Sequence, residues 1–259
     1  MLPSLTGLSH EELTSWLKEQ GEPAFRANQI LDWMWKKKAD SIDAMSNLPA
    51  TLRTKLASSF RLTSLTHTHT QGSADTTRKF LFKLHDGRYV ESVLIPANPA
   101  LYGGASDRRT LCVSSQVGCA YGCKFCASGL AGFTRNLDAS EIAGQVLAAE
   151  QLSNERVDNI VFMGMGEPLA NEEPVWEAVE RIHDDIGISA RHLTISTVGI
   201  VPGIKTLTHR PLPVNLAVSL HAARNELRDE LVPINKRYPI EVLMNACREY
   251  LGEKNRRIT

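Results

Sequence analysis

From Thr110 onward the chain switches repeatedly between a strand-like and a helix-like hydrophobic pattern, and this alternation restricts its fold most. Short apolar runs predict strands at Leu111–Val117, Asn159–Met163, His192–Val198 and Val214–Leu220. Helical spacing predicts helices over 139–153, 173–186, 202–209 and 240–251. Asp138-Ala-Ser-Glu141 reads as a capping box ahead of the first helix. Strands separated by helices of this length imply a parallel sheet joined by right-handed crossovers. Four such units give an α/β fold, a partial (β/α) barrel or curved open sheet. Arg257-Ile258-Thr259 looks like the start of a fifth strand, so the barrel is expected to be incomplete at its C-terminal end.

The part before Thr110 has a different period. Ser9-His-Glu-Glu12 is a second capping box, followed by Leu13, Trp16 and Leu17 at helical spacing. A second helix starts near Pro23 with Ala27, Ile30, Leu31 and Met34 on one face, and a third carries Leu48, Leu52 and Leu56. Trp33 and Trp35 fall off the main stripe and read as packing between helices rather than as base-stacking platforms. KFLFKL, then Asp86-Gly87, then YVESVLIP reads as a hairpin. The division expected is a small helical and β-hairpin domain over 1–96, a loop over 97–109, and the barrel over 110–259.

Lys+Arg and Asp+Glu both number 29, so the formal charge is zero and composition gives no push toward nucleic acid. Affinity for phosphate would have to come from local clusters such as Lys36-Lys37-Lys38, Arg78-Lys79, Arg108-Arg109 and Lys236-Arg237. No apolar run approaches the roughly 18–20 residues of a membrane span. The N-terminus lacks the basic and apolar regions of a signal peptide. A cytoplasmic protein without membrane contact is expected.

Four of five cysteines crowd into residues 112–126, a metal-site pattern rather than a disulfide framework. Cys119-Ala-Tyr-Gly-Cys123-Lys-Phe-Cys126 sets three thiols on one short loop. Three thiolates can hold three corners of an iron–sulfur cube and leave the fourth iron open to a ligand. A structural zinc would want a fourth ligand, usually as a second CxxC pair, and there is none. Cys247 lies on the stripe Ile240, Leu243, Met244, Cys247, Leu251 and reads as core.

C-x3-C-x2-C with an aromatic before the last Cys resembles the radical-SAM superfamily. Three further motifs accompany the longer string Cys112-Val-Ser-Ser-Gln-Val-Gly-Cys119: Met163-Gly-Met-Gly-Glu-Pro168, Ser196-Thr-Val-Gly199 and Ser219-Leu-His221. Together they resemble the bacterial dual-specificity adenine-C2 methyltransferases of 23S rRNA and tRNA, the RlmN family, related to the C8-directed Cfr enzymes. A dinucleotide fingerprint is the bland reading of Gly164-Met-Gly166, but Pro168 and the missing third glycine oppose it.

The resemblance implies a set of roles. Cys119, Cys123 and Cys126 would hold a [4Fe-4S] cluster. Gly166, Glu167, Ser196, Ser219, Leu220 and His221 would bind S-adenosyl-L-methionine at the C-terminal ends of the strands, where barrel ligands sit. Glu91 would accept the adenine C2 proton, although periodicity alone makes it the polar face of a strand. Cys112 would release the enzyme from a covalent RNA adduct through a transient disulfide bond. Its partner there, a methyl-carrying Cys, lies in a part of the family's sequence beyond Thr259, as do a late Asn and the later strands. The 259 residues alone are therefore expected to cleave the cofactor slowly without transferring methyl groups. Partners implied are 23S rRNA, tRNA and an electron donor such as a flavodoxin-type protein, with a monomer expected. A C8-type methyltransferase, a radical-SAM enzyme for a small molecule or peptide, and a non-methylating fragment are the rival readings.

Overall fold

The computed structural model describes residues 2–73, 77–97, 108–130 and 132–259, so the loop expected over 97–109 falls almost entirely outside the described residues. Three helices come first: α1 (His10–Glu19), α2 (Arg26–Leu31) and α3 (Ala50–Ser59). The capping box at α1 is formed, with the Ser9 hydroxyl accepting from the Glu12 N–H and the Glu12 carboxylate accepting from the Ser9 N–H at 2.7 Å. Leu13, Leu17, Ala27, Ile30, Met34, Leu52 and Leu56 are buried together. After α2 the helix widens into a π-turn over Asp32–Lys36. The extra residue in that turn carries Trp35 into the core, 2% exposed. Trp33 stays half-buried, with its indole N–H on Asn47 and the Lys37 ammonium over its ring.

A seven-stranded sheet runs through the rest. Its strands are β1 (Leu65–Gln71), β2 (Arg78–Leu84), β3 (Tyr89–Pro96), β4 (Arg109–Cys112), β7 (Asn159–Phe162), β8 (Leu193–Thr197) and β9 (Asn215–Val218), hydrogen-bonded in that order. The first four run antiparallel and the last four parallel. The hairpin is thus continuous with the barrel sheet through β3 and β4. Strand β1 escapes the sequence reading because THTHTQ has no apolar alternation: every residue after Leu65 is exposed. β5 (Gln116–Gly118) and β6 (Phe133–Asn136) form a separate ribbon.

The helices α4 (Ala139–Ser153), α5 (Glu172–Arg181), α6 (Val201–His209) and α8 (Ile240–Lys254) match the predicted segments. α7 (Asn225–Leu231) has no counterpart among them. The single strand expected over Leu111–Val117 divides in two. Beyond Val113 the backbone leaves the sheet: the Ser114 N–H goes to the Gln145 side chain at 2.8 Å, and the Ser115 N–H to the Met165 carbonyl at 2.8 Å. The start of a fifth strand is present. Ile258 bridges in parallel to Leu216, and the Val218 N–H donates to the Thr259 carbonyl at 2.8 Å. No helix among the described residues is long and apolar enough to cross a membrane.

Candidate metal centre

Alternation along the parallel strands divides the sheet into two faces. Ile160, Phe162, Leu193, Ile195 and Leu216 are buried on one, while Val161, Thr194 and Ser196 are half-buried on the other. Past the C-terminal ends of the strands a cavity of about 190 Å³ opens. Its wall includes Cys119, Cys123, Cys126, Gly166, Glu167, Ser196 and Ser219, so seven of the residues singled out in the sequence meet in one place.

The cysteine loop is fixed at three points. The Cys119 N–H donates to the Gly132 carbonyl at 3.2 Å, the Lys124 N–H to Leu231 at the end of α7 at 3.0 Å, and the Cys126 N–H to the Cys123 carbonyl at 3.1 Å. Burial raises the Cys119 and Cys123 thiols above their ordinary range, Cys123 to about 11, with the neighbouring cysteines and Glu167 adding to it. Metal binding would reverse this, because the ion favours thiolate. Among the described residues no three His, Cys, Asp or Glu side chains converge on a point that could hold one metal ion. Cys119, Cys123 and Cys126 line one cavity, where three thiolates could each bind a different iron of a cube. The donor set therefore fits the cluster.

All five cysteines are free thiols, so the disulfide expected at Cys112 finds no support in this structure. Cys112 lies apart from the other three cysteines, on β4, where burial pushes its thiol up to about 11. Cys247 is buried on α8, as expected of a core residue.

Glu167 is 2% exposed and its carboxylate is doubly engaged. Oε1 accepts from the Leu169 N–H at 3.0 Å and Oε2 from the Val198 N–H at 2.8 Å, which ties the ends of β7 and β8 together. Burial raises its pKa to about 7, opposed by those N–H groups. Gly166 sits at φ +100°, and a Cβ there would lie 2.5 Å from the Gln116 side chain. No other residue fits that approach.

His221 and Leu220 stand outside the cavity wall. His221 (φ +57°) stacks on Phe125, with ring centroids 3.6 Å apart. Glu91 and Cys112 also lie outside it, but on the same face of the sheet as Ser196. Val93 opposes Cys112, so Glu91 two residues along shares that face, and Cys112 pairs in turn with Val161. The Glu91 carboxylate is 40% exposed and ion-paired with the Lys79 ammonium at 2.9 Å.

Sequence reading misses the residues that build the rim. Buried Gln145 on α4 accepts from the Ser92 hydroxyl at 2.7 Å and the Ser114 N–H at 2.8 Å, and donates to the Ser114 carbonyl at 2.9 Å. The Gln116 amide oxygen accepts from the Glu167 N–H at 2.9 Å. Asn171 donates to the carbonyls of Ser115 and Leu137. A lone Gln within the apolar stretch Ile142–Leu147 is the one signal that could have found them.

Comparison with known proteins agrees with this geometry. Residues 4–62 match the ribosomal RNA large subunit methyltransferase N-terminal domain, and residues 113–256 the radical SAM superfamily. A probable dual-specificity RNA methyltransferase RlmN from Akkermansia muciniphila is 52% identical over 98% of this chain and 71% of its own length. A protein of the same description from Halalkalibacterium halodurans is 45% identical over 100% of this chain and 70% of its own. The crystal structure of a radical SAM methyltransferase from Sphaerobacter thermophilus superposes with a TM-score of 0.90 at 45% identity, covering 99% of this chain and 74% of that one. A cysteine loop facing a Gly-Glu-Pro turn across one cavity, with these likenesses over nearly its whole length, makes this chain a member of the RlmN family of radical-SAM dual-specificity RNA methyltransferases.

Proposed function

We propose that the protein methylates C2 of adenine in 23S rRNA and tRNA. The observation that carries this reading is the single cavity shared by Cys119, Cys123, Cys126, Glu167, Ser196 and Ser219. Cys119, Cys123 and Cys126 would hold a [4Fe-4S] cluster there, which would supply the electron for reductive cleavage of S-adenosyl-L-methionine. Gly166 lets the backbone come close, and Glu167, Ser196, Ser219, Leu220 and His221 orient the cofactor. Phe125, 46% exposed and stacked on His221, shields the cavity from water.

Glu91 receives the adenine C2 proton. Its carboxylate is exposed on the face that continues to Ser196, and Lys79 holds it there. Cys112, on the same face, would resolve the RNA adduct by attacking the sulfur of the family's methyl-carrying Cys: a transient S–S bond forms as the C–S bond breaks, and the electron pair passes to the new methyl carbon, which takes up a proton. Residues 1–96 meet RNA, residues 110–259 perform the chemistry, and 97–109 connect them. Several of the basic clusters are already engaged within the chain: Lys36 and Lys37 pair with Asp32, Lys38 with Glu150, and Arg78 and Arg109 with Glu155. Phosphate contact at those points therefore exchanges an internal ion pair for an external one. A flavodoxin-type protein supplies electrons, and the enzyme works as a cytoplasmic monomer.

The test is product mapping. Joined to the family's C-terminal segment that carries the methyl-bearing Cys and expressed in a bacterium lacking this modification, the protein should yield 2-methyladenosine in 23S rRNA and tRNA digests by mass spectrometry. Cys119→Ala should abolish it. 8-Methyladenosine instead would overturn the C2 assignment, and methylation surviving Cys119→Ala would overturn the role of the cysteine loop.

A further inference from the structure

Arg228, on α7, is fully buried, and none of its hydrogen-bond acceptors is a carboxylate. Nε donates to the Leu220 carbonyl at 3.1 Å, and Nη1 to the Asn235 amide oxygen at 2.8 Å. Nη2 donates to the Val198 carbonyl at 2.6 Å and the Ser219 carbonyl at 3.5 Å. Asp229, next in sequence, accepts from Asn235 at 2.6 Å instead, so its charge reaches Arg228 only across that amide. One guanidinium thus gathers the segments that follow β8 and β9, two of whose residues, Val198 and Ser219, wall the cavity.

The same helix end also carries the cysteine loop. Leu231 closes α7 and accepts from the Lys124 N–H, between two of the cysteines, while the Val232 N–H returns to the Arg228 carbonyl at 2.7 Å. The Lys124–Leu231 hydrogen bond sets the backbone beside Cys123 against the end of the helix that carries Arg228, whose guanidinium is wholly buried. An isolated buried cation costs several kcal/mol, and a fold sustains one where a counter-charge repays it. The polypeptide provides no directly bonded counter-charge at Arg228. Three thiolates around iron and sulfide would add negative charge in the cavity that Val198 and Ser219, held by Arg228, help to wall.

We propose that Arg228 is the counter-charge of the cysteine-bound cluster and the strap that fixes the two cofactor-facing segments against it. This rests on the reading of Cys119, Cys123 and Cys126 given above. Reduction adds one electron, and so one negative charge, to the cluster. A fixed cation in a low-dielectric surround favours the reduced form, a recognised means of tuning cluster potentials. Arg228 acts through charge and position and is a positioning residue, not a catalytic one.

The experiment uses the whole chain, reconstituted anaerobically, with iron and sulfide counted before any potential is measured. Midpoint potentials come from EPR-monitored titration without S-adenosylmethionine. Arg228→Gln should lower the ratio of reduced to oxidised cluster at a given potential about tenfold, equivalent to ~59 mV for one electron. The double change D229N/N235D should do the same while keeping Arg228. It moves a carboxylate onto the guanidinium at constant net charge, and it carries the test if Arg228→Gln does not fold. Arg228→Lys should keep the potential near wild type but weaken S-adenosylmethionine binding, because an ammonium cannot reach all four acceptors. Arg224→Gln, removing an exposed neighbouring cation, should change neither. Full cluster content with an unchanged potential in Arg228→Gln or D229N/N235D would overturn the proposal and leave the cysteine assignment standing. A wild-type chain that takes up no iron and sulfide would overturn both.

Discussion

The N-terminal helices and the open end of the barrel are held together by different forces. In the helical part, Leu13, Leu17, Ile30, Leu52 and Leu56 bury against one another, and charges such as Lys36 and Lys37 with Asp32 stay at the surface. At the barrel end, single polar side chains bind backbone groups. Gln145 fixes Ser114, Gln116 fixes Glu167, Glu167 fixes Val198, and Arg228 fixes Val198 and Ser219. The first arrangement tolerates small losses in proportion to buried area. The second positions atoms and responds sharply when one partner is removed.

The largest effect on stability is expected in the helical part, where it should leave the site untouched. Leu13 is 0% exposed, and Leu13→Ala should cost about 3 kcal/mol through lost burial and the cavity left behind. Denaturant unfolding measures the cost, and iron content per folded molecule should equal wild type. A loss of iron in proportion to stability would show that the two regions are not independent.

Glycines sharpen the contrast. Gly166→Ala should cost about 2–4 kcal/mol, because a Cβ at φ +100° would stand 2.5 Å from Gln116. Gly21 also has positive φ, +75°, but a methyl group added there would meet nothing within 4 Å, so Gly21→Ala should cost only about 1 kcal/mol. Denaturant unfolding of both variants measures the difference. Equal losses at both positions would mean that conformation, not the close approach, sets the requirement at Gly166.

The pH dependence separates the regions again. Glu167 has its folded pKa raised to about 7 from 4.5, so the folded metal-free chain binds this proton more tightly than the unfolded one. Stability from this group is full below about 4.5, falls as pH rises to about 7, and then levels off, with a total on the order of 3 kcal/mol. Glu167→Gln should flatten that part of the profile in thermal melts across pH 4–8. A slope unchanged in the variant would assign it to another group.

The two regions also differ in how far the sequence reveals them. Capping boxes at Ser9 and Asp138, the Asp86-Gly87 hairpin and the strand–helix alternation are all legible, because each repeats a period or occupies a local motif. The three cysteines, Gly166, Glu167, Ser196 and Ser219 are legible as motifs, and they converge on one cavity. Strand β1 is hidden because an exposed edge needs no apolar alternation. The break after Val113 is hidden because Gln145, more than thirty residues away, takes the Ser114 backbone. Arg228 reads as one more surface cation, since nothing local in Asn225–Leu231 shows that its partners are carbonyls from two other loops.

The most direct test of the central claim is the iron and sulfide content of anaerobically reconstituted protein and its cysteine variants. The chain should bind about four irons and four sulfides, with charge-transfer absorption that fades on reduction. Cys119→Ala, Cys123→Ala and Cys126→Ala should each abolish the cluster, whereas Cys112→Ala and Cys247→Ala should retain it. Stoichiometric zinc without labile sulfide, or a cluster that survives loss of Cys119, Cys123 or Cys126, would contradict the account.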